Sequence, residues 1–144
     1  MAVTAYWYGL AFTAAFNKEI DLDDDNVKVM MTTDSYTPNQ DTHNYKDDVT
    51  NEVVGTGYTA GGSVLQTPTV AYATATNVWN FDADNPVWGS SSITARRAVV
   101  YYNTGTDSTS ALIMYVDFGE DKTSADGDFT INWHADGICK VTVS

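Results

Sequence analysis

Cysteine, histidine, proline and positive charge are all scarce in this chain, and each scarcity excludes something. Cys139 is the one cysteine among 144 residues, so no intrachain disulfide can form. None is needed, because a chain of this length buries roughly 68–70% of the surface its unfolded form exposes. Cys139 shares a strand face with Val141 and Val143, which marks it as a buried, inert thiol and fits synthesis inside a cell. Lys and Arg number 7 against 19 Asp and Glu, giving a formal net charge of −12. Binding to nucleic acid or to an anionic membrane surface needs clustered basic residues, and Arg96-Arg97 is the one adjacent basic pair. Neither partner is expected. Long apolar runs are missing as well. The run from Ala5 to Phe16 falls short of the ~20 residues a membrane span requires. No basic side chain precedes Lys18, so the run is expected to be neither signal peptide nor anchor.

What is present is β-forming. With 43% hydrophobic and 12% aromatic residues, the composition is that of a folded globule. Strand signals recur at Val27–Met31, Ser63–Gln66, Thr69–Thr74, Val78–Phe81, Ile93–Tyr102, Ala111–Phe118, Phe129–Trp133 and Ile138–Val143. Turn clusters separate them, among them Asp84-Asn85-Pro86, Asn103-Thr104-Gly105, Ala125-Asp126-Gly127-Asp128 and Ala135-Asp136-Gly137. Apolar spacings of three and four between Tyr8 and Phe16 predict one N-terminal helix over about residues 5–18, capped by Thr4 and ended by the acidic run after Ile20. The polar stretch from Ser35 to Asn51 reads as a long connection with one helical turn. Many short strands without intervening helices imply a mainly β protein, an antiparallel sandwich or jelly-roll-like fold. A single domain over residues 1–144 is expected, its sandwich spanning about 27–144. The helix would cover a sheet face, with Phe12 and Phe16 packed on the β layer.

Several constellations invite chemistry and fail on inspection. Gly55-Thr56-Gly57-Tyr58-Thr59-Ala60 matches a dinucleotide fingerprint letter for letter, but Gly61 and Gly62 follow and then a strand, so no helix can open there. Asp21, Asp23, Asp24 and Asp25 suggest calcium, yet loop positions six and twelve hold Asn26 and Thr32 instead of Gly and Glu. Asp121–Asp128 is looser still. Solvated turns are expected at both places, with no metal and no cofactor. His43 and His134 have no nucleophile placed beside them in any known hydrolase motif, so no catalytic residue is assigned. Arg96 and Arg97 fall on opposite faces of a regular strand, one of them needing a structural partner among Asp82, Asp84 and Asp117.

The aromatic residues point furthest. Trp133 and Trp79 suit core filling, whereas Tyr6, Trp7, Tyr8 and Trp88 are the candidates for an interface, where aromatic anchors concentrate binding energy. A helix laid over a sheet would bury some of these rings.

Asp25-Asn26-Val27-Lys28-Val29-Met30, Ser35-Tyr36-Thr37-Pro38 and Asp41-Thr42-His43 resemble runs in small virion proteins of tailed bacteriophages. So do the block Glu52–Gly62, the strand Ile93-Thr94-Ala95-Arg96 and Tyr115-Val116-Asp117-Phe118-Gly119. The likeness covers almost the whole chain. Arg97 departs from it, since an aromatic residue follows the arginine in that pattern. Such proteins include head decoration and tail-fibre-like proteins, so the resemblance implies a place on the virion and no catalytic residues. The expected function is a capsid decoration, or cement, protein: non-enzymatic, made in the host cytoplasm, homo-oligomeric on the particle, and bound to the major capsid protein or other virion proteins. The alternative is a tail-fibre or receptor-binding module that stacks exposed rings on host carbohydrate.

Overall fold

The computed structural model describes residues 2–144. Its centre is a five-stranded antiparallel sheet, and the sequence explains why that sheet is central. β2 (Val27–Thr32), β7 (Thr94–Tyr102) and β8 (Leu112–Thr123) carry near-continuous apolar runs, Val-Lys-Val-Met-Met, Ala-Val-Val-Tyr-Tyr and Leu-Ile-Met-Tyr-Val. A strand with one wet face alternates apolar and polar residues, and a run apolar at every position needs cover on both faces. β1 (Thr4–Trp7) and β3 (Ser63–Val64) complete the order β1-β8-β7-β2-β3.

Each face has its own cover. Val27, Val29, Met31, Ala98, Val100 and Val116 point to one side, into the larger core. Two small antiparallel sheets close that side. One has the order β10-β5-β4, from Cys139–Thr142, Val78–Asp82 and Thr69–Ala73; the other pairs β6 (Val87–Ser91) with β9 (Gly127–Thr130). They contribute Phe81, Trp88 and Phe129, with Ile131 and Ile138 from adjoining segments. Met30, Val99, Tyr101, Leu112 and Tyr115 point to the opposite side, where Tyr8, Ala11 of α1 (Leu10–Phe16) and Tyr36 cover them. The result is a sandwich with a second, helix-and-loop layer behind its main sheet. The long connection from Ser35 to Asn51 is part of that layer, with a 3-10 turn at Lys46–Asp48.

The N-terminus differs from expectation. Residues 4–7 form a strand, not the start of a helix, pairing Tyr6 with Tyr115 and Trp7 with Met114 on the edge of β8. Left bare, β8 would expose a row of unpaired backbone groups, and Thr-Ala-Tyr-Trp has the aromatic and β-branched character to pair with it. The helix is therefore only Leu10–Phe16, and its buried residues are Ala11 and Ala14. These small side chains let it lie close to the Tyr8–Tyr115 layer and turn the large ones outward. Phe12 is 39% exposed and Phe16 86% exposed, so neither is the core anchor that the periodicity suggested.

Candidate functional site

The four aromatic candidates separate cleanly. Tyr8 and Trp88 are buried, 0% and 6% exposed, and so do not belong to any free surface. The Tyr8 hydroxyl bonds the Tyr36 hydroxyl at 2.9 Å, and the latter bonds His43 Nδ1 at 2.9 Å. Burial, then the neighbouring Tyr36, pushes the Tyr8 hydroxyl pKa far above its ordinary value, so it stays protonated. Trp88 is sandwiched between Tyr58 and Phe129, at ring distances of 6.1 and 6.3 Å. Trp88 fills core opposite Phe129 of β9, and Tyr8, the residue after β1, is held inward with its amide donating to the Ile113 carbonyl of β8 at 3.1 Å.

Tyr6 and Trp7 remain at the surface. Tyr6 is 41% exposed and stacks on Tyr115 at 5.2 Å. Half-buried Trp7 lies 4.8 Å from Phe12 of the helix and 6.4 Å from Trp79 of β5. Gln40 fixes this end by donating from Nε2 to the Trp7 carbonyl at 2.7 Å. Trp7 thus joins two regions of exposed apolar surface. One holds Phe12 and Phe16, a turn apart on the helix; the other is the β4–β5 hairpin, where Val70 is 40% and Tyr72 48% exposed.

These two regions share a property that the sequence carries in plain view. No charged side chain occurs before Lys18, and none between Glu52 and Asp82, in a chain that is 18% charged with a net −12. The two uncharged tracts meet at the Trp7–Trp79 contact. Charge depletion along the chain was the signal for Phe12, Phe16, Val70 and Tyr72, none of which is singled out as interface by residue type alone.

A cleft of about 740 Å³ opens between the outer end of the main sheet and the segment after β9. Val116, Phe118, Phe129 and Ile138 form its apolar floor; Asp128, Asn132 and His134 stand around it. Trp133 lines it half-buried, held by its Nε1–H donating to the Asp84 carbonyl at 3.2 Å. His134 is exposed, and its Nδ1 accepts the Asp136 amide at 3.1 Å. His43 bonds the Tyr36 hydroxyl, and among the described residues no serine, threonine or cysteine side chain bonds either His134 or His43.

The remaining constellations are structural. Gly57, Gly61 and Gly62 all have positive φ, and strand β3 follows them directly where the fingerprint needs a helix. Glu52 binds the loop together, accepting from the Tyr58 hydroxyl at 2.8 Å and the Gly61 amide at 2.6 Å. Tyr101 donates to the Gly61 carbonyl at 2.6 Å. In the acidic run, Asp24 accepts from the Asn26 amide and from Tyr102, while Asp21 has its pKa raised, chiefly by a hydrogen bond with Asp23. Among the described residues no group of three or more His, Cys, Asp or Glu is placed to hold a metal ion, and no helix is long and apolar enough to cross a membrane. Burial pushes the Cys139 thiol up to about 12.

Arg96 and Arg97 do not take opposite faces. The β7–β8 register shifts between Ala95 and Arg97, so Ala95 and Ala98 both point into the larger core and the two arginines between them share the other side. Both Nε atoms reach Asp117, at 2.9 Å each, and Asp34 lies 3.3 and 3.7 Å from their Nη1 atoms. Burial opposes the Asp117 charge, but bonds from Arg96 and the Gly119 amide and the charge of Arg97 outweigh it, holding the carboxyl below its usual range.

No protein family, curated protein or solved structure matches the chain.

Proposed function

We propose that the protein is a non-catalytic binding module of a phage particle, a capsid decoration protein that docks on the head through the surface running from Phe16 across Trp7 to Tyr72. The observation that carries this reading is that surface itself. Exposed aromatic and aliphatic side chains cost free energy in water, and a contiguous patch of them on a folded domain marks an interaction site. Depletion of charge with enrichment of aromatics is the composition of an interface centre. The acidic loops at 19–25, 41–48 and 120–128 would then face outward, and many copies on a lattice would bind by avidity even if each contact were weak. The resemblance to virion proteins supports a phage particle as the assembly in question, and the head is the part of it that we propose.

The test uses heads lacking the protein and the purified chain in co-sedimentation. Phe16→Ser removes the most exposed ring and leaves stability within about 0.5 kcal/mol, as surface substitutions do. Loss of co-sedimentation with unchanged melting supports the reading. A wild-type protein that never binds heads refutes it.

The cleft favours a second reading. Trp133, half-exposed beside Asp128, Asn132 and His134, is the combination of ring and hydrogen-bonding groups on which a sugar stacks. A tail-fibre or receptor-binding module would use it. Binding of host-surface glycans that is lost in Trp133→Ala, with no binding to heads, favours this alternative.

A further inference from the structure

We infer that the chain forms a twofold dimer by antiparallel pairing of β4 with β4 of a second copy. β4 is the outer strand of its sheet, hydrogen-bonded to β5 on one side and, among the described residues, to nothing on the other. All five of its residues are exposed. Natural edge strands are guarded against pairing by charge, by proline within the strand or by a bulge. Thr69-Val70-Ala71-Tyr72-Ala73 has none of these, and its ladder with β5 runs without a register shift.

The occupant is argued from charge and from self-complementarity. Two copies at net −12 repel, and they can approach closely only where charge is absent. β4 lies in the middle of the longer uncharged tract. With Ala71 on the twofold axis, Val70 of each copy faces Tyr72 of the other, and Thr69 faces Ala73. Val70 and Tyr72 pair with Phe81 and Trp79 on β5, so they share the apolar face and are the residues left half-exposed on it. An aromatic residue opposite a β-branched one is a favourable cross-strand pair. The nearest charges stay far apart. Asp82 pairs with Thr69, and strand spacings place the two copies of Asp82 about 14 Å apart across the sheet and about 13 Å along it, some ~19 Å in all. Lys140 pairs with Asn80, which pairs with Ala71, so its two copies lie five strand spacings apart, about 24 Å. Both separations exceed the ~10 Å screening length at 0.1 M salt. A contact one strand wide is small, so the dimer is weak and concentration-dependent in solution. It does not depend on the virion reading.

Sedimentation velocity across about 10 μM to 1 mM, spanning the range of weak association, tests it. Wild type is expected to pass from monomer to dimer. Ala71→Lys and Ala71→Glu each put like charges ~5 Å apart on the axis and weaken association about tenfold or more. Their equimolar mixture restores it, because opposite charges then face each other. Ala71 is exposed, so both variants should melt like wild type; the double variant Thr69→Lys/Ala73→Lys, which sets a lysine of each copy opposite a lysine of the other, serves as a second test if either does not. A wild type that stays monomeric at 1 mM overturns the inference. So does dimerisation unchanged by Ala71→Lys and by Thr69→Lys/Ala73→Lys, or a mixture of the Ala71 variants no better than its parts.

Discussion

Replacing Asp117 by alanine removes the carboxylate that two arginines share, leaving Arg96 with the exposed Asp34 and Arg97 with Asp34 and the Tyr36 carbonyl, to which its Nη1 donates at 2.6 Å. Its oxygens accept from Arg96 Nε and Arg97 Nε, each at 2.9 Å, and Oδ1 also accepts the Gly119 amide at 2.8 Å. The arginine side chains are only 19% and 13% exposed, so neither is fully hydrated where it lies. Asp34 cannot substitute, being 63% exposed and 3.3 to 3.7 Å away. Removing one partner of a buried ion pair costs about 3–5 kcal/mol, and partial access of the guanidinium groups to water sets the expectation near the low end, at about 3 kcal/mol. For a domain of this size that corresponds to a fall of about 10 °C in melting temperature. Asp34→Ala, losing an exposed partner, should cost at most about 1 kcal/mol. Urea unfolding at pH 7 compares the two. The pH dependence has a definite sign. The folded-state pKa of Asp117 is depressed, so its contribution is complete above the unfolded value of about 3.9 and is lost as pH falls through the lower folded value. The stability gap between wild type and Asp117→Asn should therefore be constant from pH 7 to about 5 and shrink below about 4. If Asp117→Ala costs no more than Asp34→Ala at pH 7, the shared carboxylate is not what holds the bulge.

Three further outcomes follow from single contacts. Gly62→Ala should abolish soluble expression or lower stability by more than about 4 kcal/mol, because a Cβ there would collide with the Val29 backbone and stand 2.6 Å from Met30 Cα, at a φ of +76°; a soluble variant melting within 3 °C of wild type, roughly a 1 kcal/mol change, would contradict this. Tyr8→Phe leaves the buried Tyr36 hydroxyl without one partner and should cost about 1–2 kcal/mol, measured by urea unfolding, while binding to heads stays intact. Cys139, its thiol raised to about 12 by burial, should react with a disulfide reagent at pH 8 far more slowly in folded than in urea-unfolded protein; equal rates would show that the β10 edge opens freely.

The parts of the fold that were legible are those where one residue pattern had one structural solution. β2, β7 and β8 are long apolar runs whose positions the sequence marks within a few residues. β1 was hidden because Thr-Ala-Tyr-Trp runs directly into the helical spacing of Leu10–Phe16, and local pattern cannot say that the edge of β8, over a hundred residues on, needs a partner. β6 was hidden by its composition: Gly89, Ser90 and Ser91 are weak strand formers, and Ser90 even adopts a φ of +48°. What makes it a strand is Trp88 paired with Phe129. The burial of Tyr8 and Trp88 depends on those two strands and was lost with them. The arginine pair failed for a related reason, since a bulge is a property of two strands and a single-strand alternation rule does not see it.

Charge placement ties the core to the surface. A sheet buried on both faces has little room for charge, so its strands carry few charged residues for reasons of packing alone: Lys28, Arg96, Arg97 and Asp117 lie half-buried on β2, β7 and β8, and Glu120, Asp121 and Lys122 occupy the exposed end of β8. That reason does not reach Phe12, Phe16, Val70 or Tyr72, which are exposed and could be Lys or Glu without disturbing either core. The helix would gain from such residues, because its buried stripe is made of alanines and its outer face is free. Folding therefore accounts for the charge-poor centre and leaves the uncharged surface unexplained. Solubility argues against that surface as well, since patches of this kind promote association. A feature that stability does not require and solubility opposes is best explained by binding. Two contacts would draw on it: the broad aromatic surface around Trp7 for a larger assembly, and the bare edge of β4 for a second copy.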